Sequence, residues 1–181
     1  MSLISYHQLV EFVNNGHISA NPENINGASI DITLGNEILV EESNIVGRLI
    51  DLKGKETLSM RSVTITEQGF YLMPGDFILA TSVETFNLPL CVAAEYKLKS
   101  SLARSGLEHL MAGWCDPGWN NSKLTLELKN VSQYHTLIIK PGMKIGQMVF
   151  WLCDTIPEEN SYAVKGQYNK QQTVTGSKGA R

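Results

Sequence analysis

Hydrophobic and polar positions change their rhythm once along the chain. In SYHQLVEFVNNG, Leu9, Phe12 and Val13 recur at spacings of three and four, which predicts a short amphipathic helix with Ser5 as its N-cap and Gly16 as its stop. Beyond it the pattern breaks into short runs of β-formers separated by turn residues: ASIDITLG, EILV, SVTIT, DFILATS, AAEYKL, KLTLELKN, TLIIK and KIGQMVFW. So many short strands at this spacing predict a mainly β barrel or sandwich. Pro-Gly in MPGD and in KPGMK falls where a tight turn opens a strand, because proline presets φ and glycine permits a positive φ. From Pro157 onward the chain is polar and poor in large apolar residues, so the expected organisation is one β domain over 1–156 and a tail or lid over 157–181.

Composition narrows the function. The 181 residues are 43% hydrophobic and 18% charged, enough for one core. Fifteen basic and 18 acidic residues are spread along the chain for a net charge of −3, so no basic stripe for nucleic acid is expected, and any anionic ligand must be held by a few local groups. Three isolated cysteines, Cys91, Cys115 and Cys153, suit a reducing cytoplasm better than a disulfide framework. No apolar run is long enough to span a membrane as a helix, and the protein reads as soluble and cytoplasmic.

Candidate chemistry concentrates between Lys99 and Asn130. Ser100 and Ser101 follow a strand and precede a possible helical turn, where hydroxyls and main-chain N–H groups suit a phosphate, with Lys99 and Arg104 supplying charge; a serine N-cap with solvated neighbours is the plainer alternative. In KLTLELKN the alternation puts Leu124, Leu126 and Leu128 on one face and Thr125, Glu127 and Lys129 on the other. Glu127 is then either a solvent-facing carboxylate or, if that face lines a cleft, a proton shuttle with a raised pKa. Asp31 stands near a strand. Asp116, beside Pro-Gly, is a turn former or a polar ligand, and Trp114 and Trp119 either pack or wall a pocket. The zinc-deaminase pattern of His or Cys with a nearby Glu and Pro-Cys-x-x-Cys is absent, as are Walker, dinucleotide-binding and Gly-x-Ser-x-Gly motifs; His7, His17, His109 and His135 lack ligand spacing.

KSSLAR, AGWCDPGW and LTLELKN, in that order and spacing, resemble the dCTP deaminase family, a branch of the trimeric dUTPase superfamily. INGASIDITLGN, YLMPGDFILATSVETFNLP and KPGMKIGQMVF agree with it as well, so the resemblance covers about residues 1–151. It implies a distorted jelly-roll β-barrel, a homotrimer with active sites at subunit interfaces, and hydrolytic removal of the cytosine amino group of dCTP without zinc. By the same resemblance Glu127 would be general base and acid, Ser100 would help hold the water and Arg104 would stabilise the site. Lys99 and Ser101 would contact phosphates, partly from a neighbouring subunit. Asp116 would anchor the deoxyribose, the Ala112 main chain would position water and read the amino group, and Trp114 and Trp119 would shape the base and sugar pocket. Magnesium would accompany the triphosphate, and dTTP would be a possible feedback inhibitor.

The residues Ala112, Gly113 and Trp114 resemble members that continue to dUMP and pyrophosphate rather than stopping at dUTP. The tail GQYNKQQ resembles the family's lid, with Tyr168 and Gln171 matching, Gln167 where the family has lysine, and Tyr162 and Lys165 nearby. LEHLM is one residue short before Ala112, with Met111 replacing a small hydroxyl residue, and GWNNSKLTLE is one residue long. A dUTPase preferring dUTP and a nucleotide-sensing homologue without turnover are the alternatives.

Overall fold

The apolar stripe at the N-terminus is a helix, and most of the regular structure that follows it is sheet. A computed structural model describes residues 2–42 and 47–179. The chain runs through β1 (Ser2–Leu3), α1 (Tyr6–Asn14), β2 (Ile30–Glu41), β3 (Met60–Thr64), β4 (Phe70–Leu72), β5 (Phe77–Phe86) and β6 (Val92–Leu98). It continues through a single helical turn α2 (Ser100–Ala103), β7 (Leu107–Glu108), β8 (Trp114–Cys115), β9 (Ser122–Asn130), β10 (Leu137–Ile139), β11 (Lys144–Leu152) and α3 (Tyr162–Lys165).

Helix α1 begins where expected: the Ser5 N–H donates to Gln8 Oε1 at 3.2 Å, satisfying a donor the first turn leaves open. It buries Leu9 and Phe12 and ends ahead of Gly16, whose φ of 73° turns the chain away. ASIDITLG and EILV form one twelve-residue strand, β2, rather than two. Continuity is possible because the register against β5 slips between Leu34 and Ile38, and because Gly35 has no side chain: a Cβ there would lie 2.7 Å from Thr81 Cγ2.

The main sheet has the path β7-β9-β5-β2-β11-β6-β8, with β1 added to β11 and β3 to β2. Its pairs are antiparallel, and it curls as a half-barrel. β4 and β10 form a separate antiparallel pair. Ile32, Leu34, Ile78, Phe86, Leu126, Leu128 and Phe150 are fully buried inside the curl. Each contributes about 2–3 kcal/mol relative to an exposed side chain. In β9 the burial alternates strictly, so Leu124, Leu126 and Leu128 enter the core while Thr125, Glu127 and Lys129 face the other way. Asn130 fixes the end of that strand: its buried Nδ2 donates to the Leu72 and His135 carbonyls at 2.9 and 2.8 Å, and its Oδ1 accepts from Ser132 N at 2.9 Å.

Candidate active site

Glu127 does not point to open solvent. On β9 it sits opposite Leu79 of β5, and both line a cavity of about 370 Å³. Phe77, Leu58 and Met60 extend the apolar wall; Ala112, Trp114, Cys115 and Trp119 form the side reached from β8. The roof comes from the tail, through Tyr162, Tyr168, Gln171 and the segment Thr175–Ser177. Burial among these groups raises the Glu127 carboxyl from its ordinary 4.5 to about 6, its own main chain opposing the shift.

The aromatic walls are held by specific contacts. Trp119 is buried, stacks on Phe86 at 5.1 Å between centroids and donates its Nε1–H to the Tyr168 carbonyl at 3.0 Å. Trp114 is exposed, and its Nε1–H reaches Asp116 Oδ1 at 2.9 Å. Asp116 itself lines an adjoining depression with Tyr162, Lys165, Gln167 and Tyr168, whose hydroxyl edges and amides give that side its polarity. Burial raises the Tyr162 hydroxyl above its ordinary value of 10.0, so it stays a neutral donor.

The tail is ordered against β9. Gln171 Nε2 donates to the Lys123 carbonyl at 2.7 Å and to Thr125 Oγ1 at 3.2 Å, while its buried Oε1 has no partner among the described residues. At the position of Gln167 a cation arrives from later in the chain: Lys178 Nζ donates to the Gln167 carbonyl at 2.6 Å and lies 5.2 Å from the Tyr168 ring centroid. Lys165 instead engages Asn160 Oδ1.

Four expected residues stand apart from this cavity within one chain. Ser100 and Ser101 open α2 and are exposed, Arg104 follows it, and Arg104 Nε contacts Ser100 Oγ at 3.4 Å. Lys99 is committed to Asp31, 2.6 Å from its Oδ1, with Lys144 3.3 Å from the other oxygen and Asn26 Nδ2 at 2.8 Å. Burial pushes the Asp31 carboxyl up, but the hydrogen bonds from Lys99, Asn26 and Lys144 together hold it below its ordinary 3.8. Thr125 was findable from sequence, since it shares the period-two face of Glu127; Phe77, Leu79, Leu58, Met60 and residues 175–177 were not, because nothing local distinguishes a cavity wall from any half-buried strand or tail.

A curled β-sheet with one partly desolvated carboxylate, flat aromatic walls and a polar rim defines a pocket for a small planar molecule carrying hydrogen-bonding edges. The chain matches the dCTP deaminase-like family model over residues 3–153 and belongs to that family. It is 34% identical to a dUMP-forming dCTP deaminase of Nanoarchaeum equitans across 97% of this chain and 96% of the relative. It is 38% identical to one of Coprothermobacter proteolyticus across 85% and 82%. Among solved structures, a 2′-deoxycytidine 5′-triphosphate deaminase from Agrobacterium tumefaciens superposes with a TM-score of 0.65 at 17% identity, covering 83% of this chain and 48% of that one, a likeness of fold. No helix among the described residues is long and apolar enough to cross a membrane.

Proposed function

We propose that the chain hydrolyses dCTP to dUMP, ammonia and pyrophosphate in the cytoplasm, with the base and sugar seated in the Glu127 cavity. The observation that carries this reading is Glu127 itself, a carboxyl raised to about 6 by burial and facing aromatic walls. At neutral pH it is ionised yet basic enough to take a proton from a water molecule. The water oxygen bonds to C4 of cytosine, giving a tetrahedral centre. Glu127 passes that proton to N3, then takes the hydroxyl proton of the tetrahedral centre and gives it to the amino nitrogen; the C4–N bond breaks, C4=O forms, and ammonia leaves with uracil formed. A second water then cleaves between the α- and β-phosphorus atoms, giving dUMP and pyrophosphate. That continuation is supported by Ala112, Gly113 and Trp114 and by the names of the two relatives above.

In this reading the main chain at Ala112 faces the amino group, Trp119 and Trp114 flank base and sugar, and Asp116 takes the sugar hydroxyl. Tyr162, Tyr168 and Gln171 close over the nucleotide, and Lys165 meets the phosphates. Lys99, Ser100, Ser101 and Arg104 complete the site of an adjacent copy in a homotrimer, the arrangement that reconciles their absence from the lining of the Glu127 cavity with their expected roles. Magnesium rides on the triphosphate: Glu127 and Asp116 line separate depressions, a donor set that suits a metal held by phosphate oxygens and not by a protein cage. Its contribution is to neutralise phosphate charge. dTTP, sharing sugar and triphosphate with the substrate, competes for the same cavity.

The test is one time course with dCTP and magnesium, resolving ammonia, dUTP, dUMP and pyrophosphate, for the parent protein and Glu127→Gln. Ammonia, dUMP and pyrophosphate without free dUTP, all abolished by the substitution, is the expected outcome. Accumulating dUTP would restrict the reaction to deamination, and unchanged turnover by Glu127→Gln would remove the carboxylate from the mechanism.

A further inference from the structure

Glu108, the last residue of β7, bends its carboxylate back over the turn it precedes. Its Oε1 accepts from the main-chain N–H of His109 at 2.7 Å and of Leu110 at 3.1 Å. The residues held by that cap are unusual. Leu110 and Met111 both adopt left-handed backbone, with φ of 55° and 57°, a conformation that opposes the Cβ of any residue but glycine and is poorly tolerated by large side chains. Both side chains are exposed, so packing within the chain does not account for the conformation.

The turn is anchored at its other end too. The Gly113 carbonyl accepts from Tyr96 N at 2.8 Å, and a Cβ on Gly113 would lie 2.7 Å from the Tyr96 carbonyl oxygen, so the main chain is pressed directly onto β6. The His109 ring meets the Tyr96 ring edge-on at 5.3 Å. Between the two anchors stands Ala112, the one residue of the turn that lines the cavity with Glu127. A strained segment fixed at both ends and opening on the candidate reacting end of a pocket is where a local conformation serves geometry rather than stability.

We propose that Glu108 is a positioning residue for the deamination: its carboxylate holds the left-handed Leu110–Met111 turn so that the Ala112 main chain stands against the base opposite Glu127. The proposal rests on the reading that Glu127 activates water in this cavity. A carboxylate oxygen is needed as acceptor, not as charge, so glutamine in the same place retains the hold and alanine releases it. Glycine at both turn positions reaches positive φ without strain and makes the cap dispensable.

The experiment measures kcat and KM for dCTP with magnesium in Glu108→Ala, Glu108→Gln, the triple variant Glu108→Ala with Leu110→Gly and Met111→Gly, and Glu127→Gln, all below their measured thermal midpoints. Expected is a kcat reduced about tenfold or more in Glu108→Ala, the scale of a slightly misplaced reacting group, with KM changed far less. Glu108→Gln should stay near the parent, and the glycine variant should regain most of the lost kcat. A parental kcat in Glu108→Ala overturns the proposal, as does a Glu108→Gln variant as impaired as the alanine one. If Glu127→Gln is inactive while Glu108→Ala is unaffected, this inference alone fails; an active Glu127→Gln instead removes the reading on which it rests.

Discussion

Trp119 donates its indole N–H to the main-chain carbonyl of Tyr168 at 3.0 Å, joining a wall of the cavity to the tail that roofs it. Because Trp119 is buried against Phe86, replacement by phenylalanine keeps an aromatic wall but deletes the donor. A hydrogen bond of this kind contributes about 1 kcal/mol. If the tail orders over bound nucleotide, Trp119→Phe should raise KM for dCTP about fivefold, with a smaller change in kcat, and should speed proteolytic removal of the tail. Parental KM together with parental protease resistance would show that the tail is held by its other contacts, chiefly Gln171 on Lys123 and Thr125.

Burial that raises Glu127 to about 6 has two consequences of opposite sign. The ionised form is the base, so kcat/KM should fall with decreasing pH along a limb centred near 6. For stability, the fold disfavours the charged form. The contribution from Glu127 is therefore complete below its ordinary 4.5 and is lost as pH rises through about 6. Glutamine cannot ionise and escapes that loss. Glu127→Gln should thus be inactive yet more stable than the parent above pH 7 by ~2 kcal/mol, with the gap closing below about pH 4.5, as read from denaturant unfolding across pH.

Asp31 behaves in the opposite way. It is buried and held by Lys99, Lys144 and Asn26, and its carboxyl lies below the ordinary 3.8. A depressed carboxylate contributes stability that is present above its unfolded value and is lost as pH falls through the folded one. Asp31→Asn should therefore destabilise the fold at pH 7 by about 2 kcal/mol, the scale of hydrogen bonds to a charged group. The gap between parent and variant should narrow progressively as the unfolding curves are repeated at pH values falling below 3.8 and through the folded value. A difference that does not change with pH would assign Asp31 a role in packing rather than charge.

The strands legible in sequence were those with a complete local pattern. β9 announced itself because Leu124, Leu126 and Leu128 alternate with polar partners, and that alternation also put Thr125 and Glu127 on one face. The two-residue strands β7 and β8 carry no periodicity of their own; they exist because Leu107 finds Asn130 and Cys115 finds Ala94 across the sheet. The division of β2 into two runs failed for a related reason, since Gly35 reads as a break locally but serves a close approach to Thr81. At the site, Trp119 could be singled out by its type, and Tyr168 by the resemblance of the motif that carries it. Phe77 and Leu79 could not, because their place beside Glu127 comes from the β5–β9 pairing, a contact about 50 residues apart in the chain.

The separation of Arg104 from the Glu127 cavity sets the last prediction. If each site takes Glu127 from one copy of the chain and Arg104 from the next, Glu127→Gln and Arg104→Ala are defective for different reasons and can complement each other. In a trimer assembled at random from equal amounts of the two variants, a site is intact only when an Arg104→Ala copy supplies Glu127 and a Glu127→Gln copy supplies Arg104, a chance of about one quarter. Co-refolding the two inactive variants should therefore restore roughly a quarter of parental ammonia release, while simple mixing of preformed assemblies should restore it only as fast as they exchange. Each variant refolded alone gives the baseline. Recovery near a quarter assigns the two residues to different copies. No recovery, with mixed assemblies demonstrated by differently tagged chains, would require Arg104 to serve the Glu127 of its own chain, and so a movement of α2 toward the cavity.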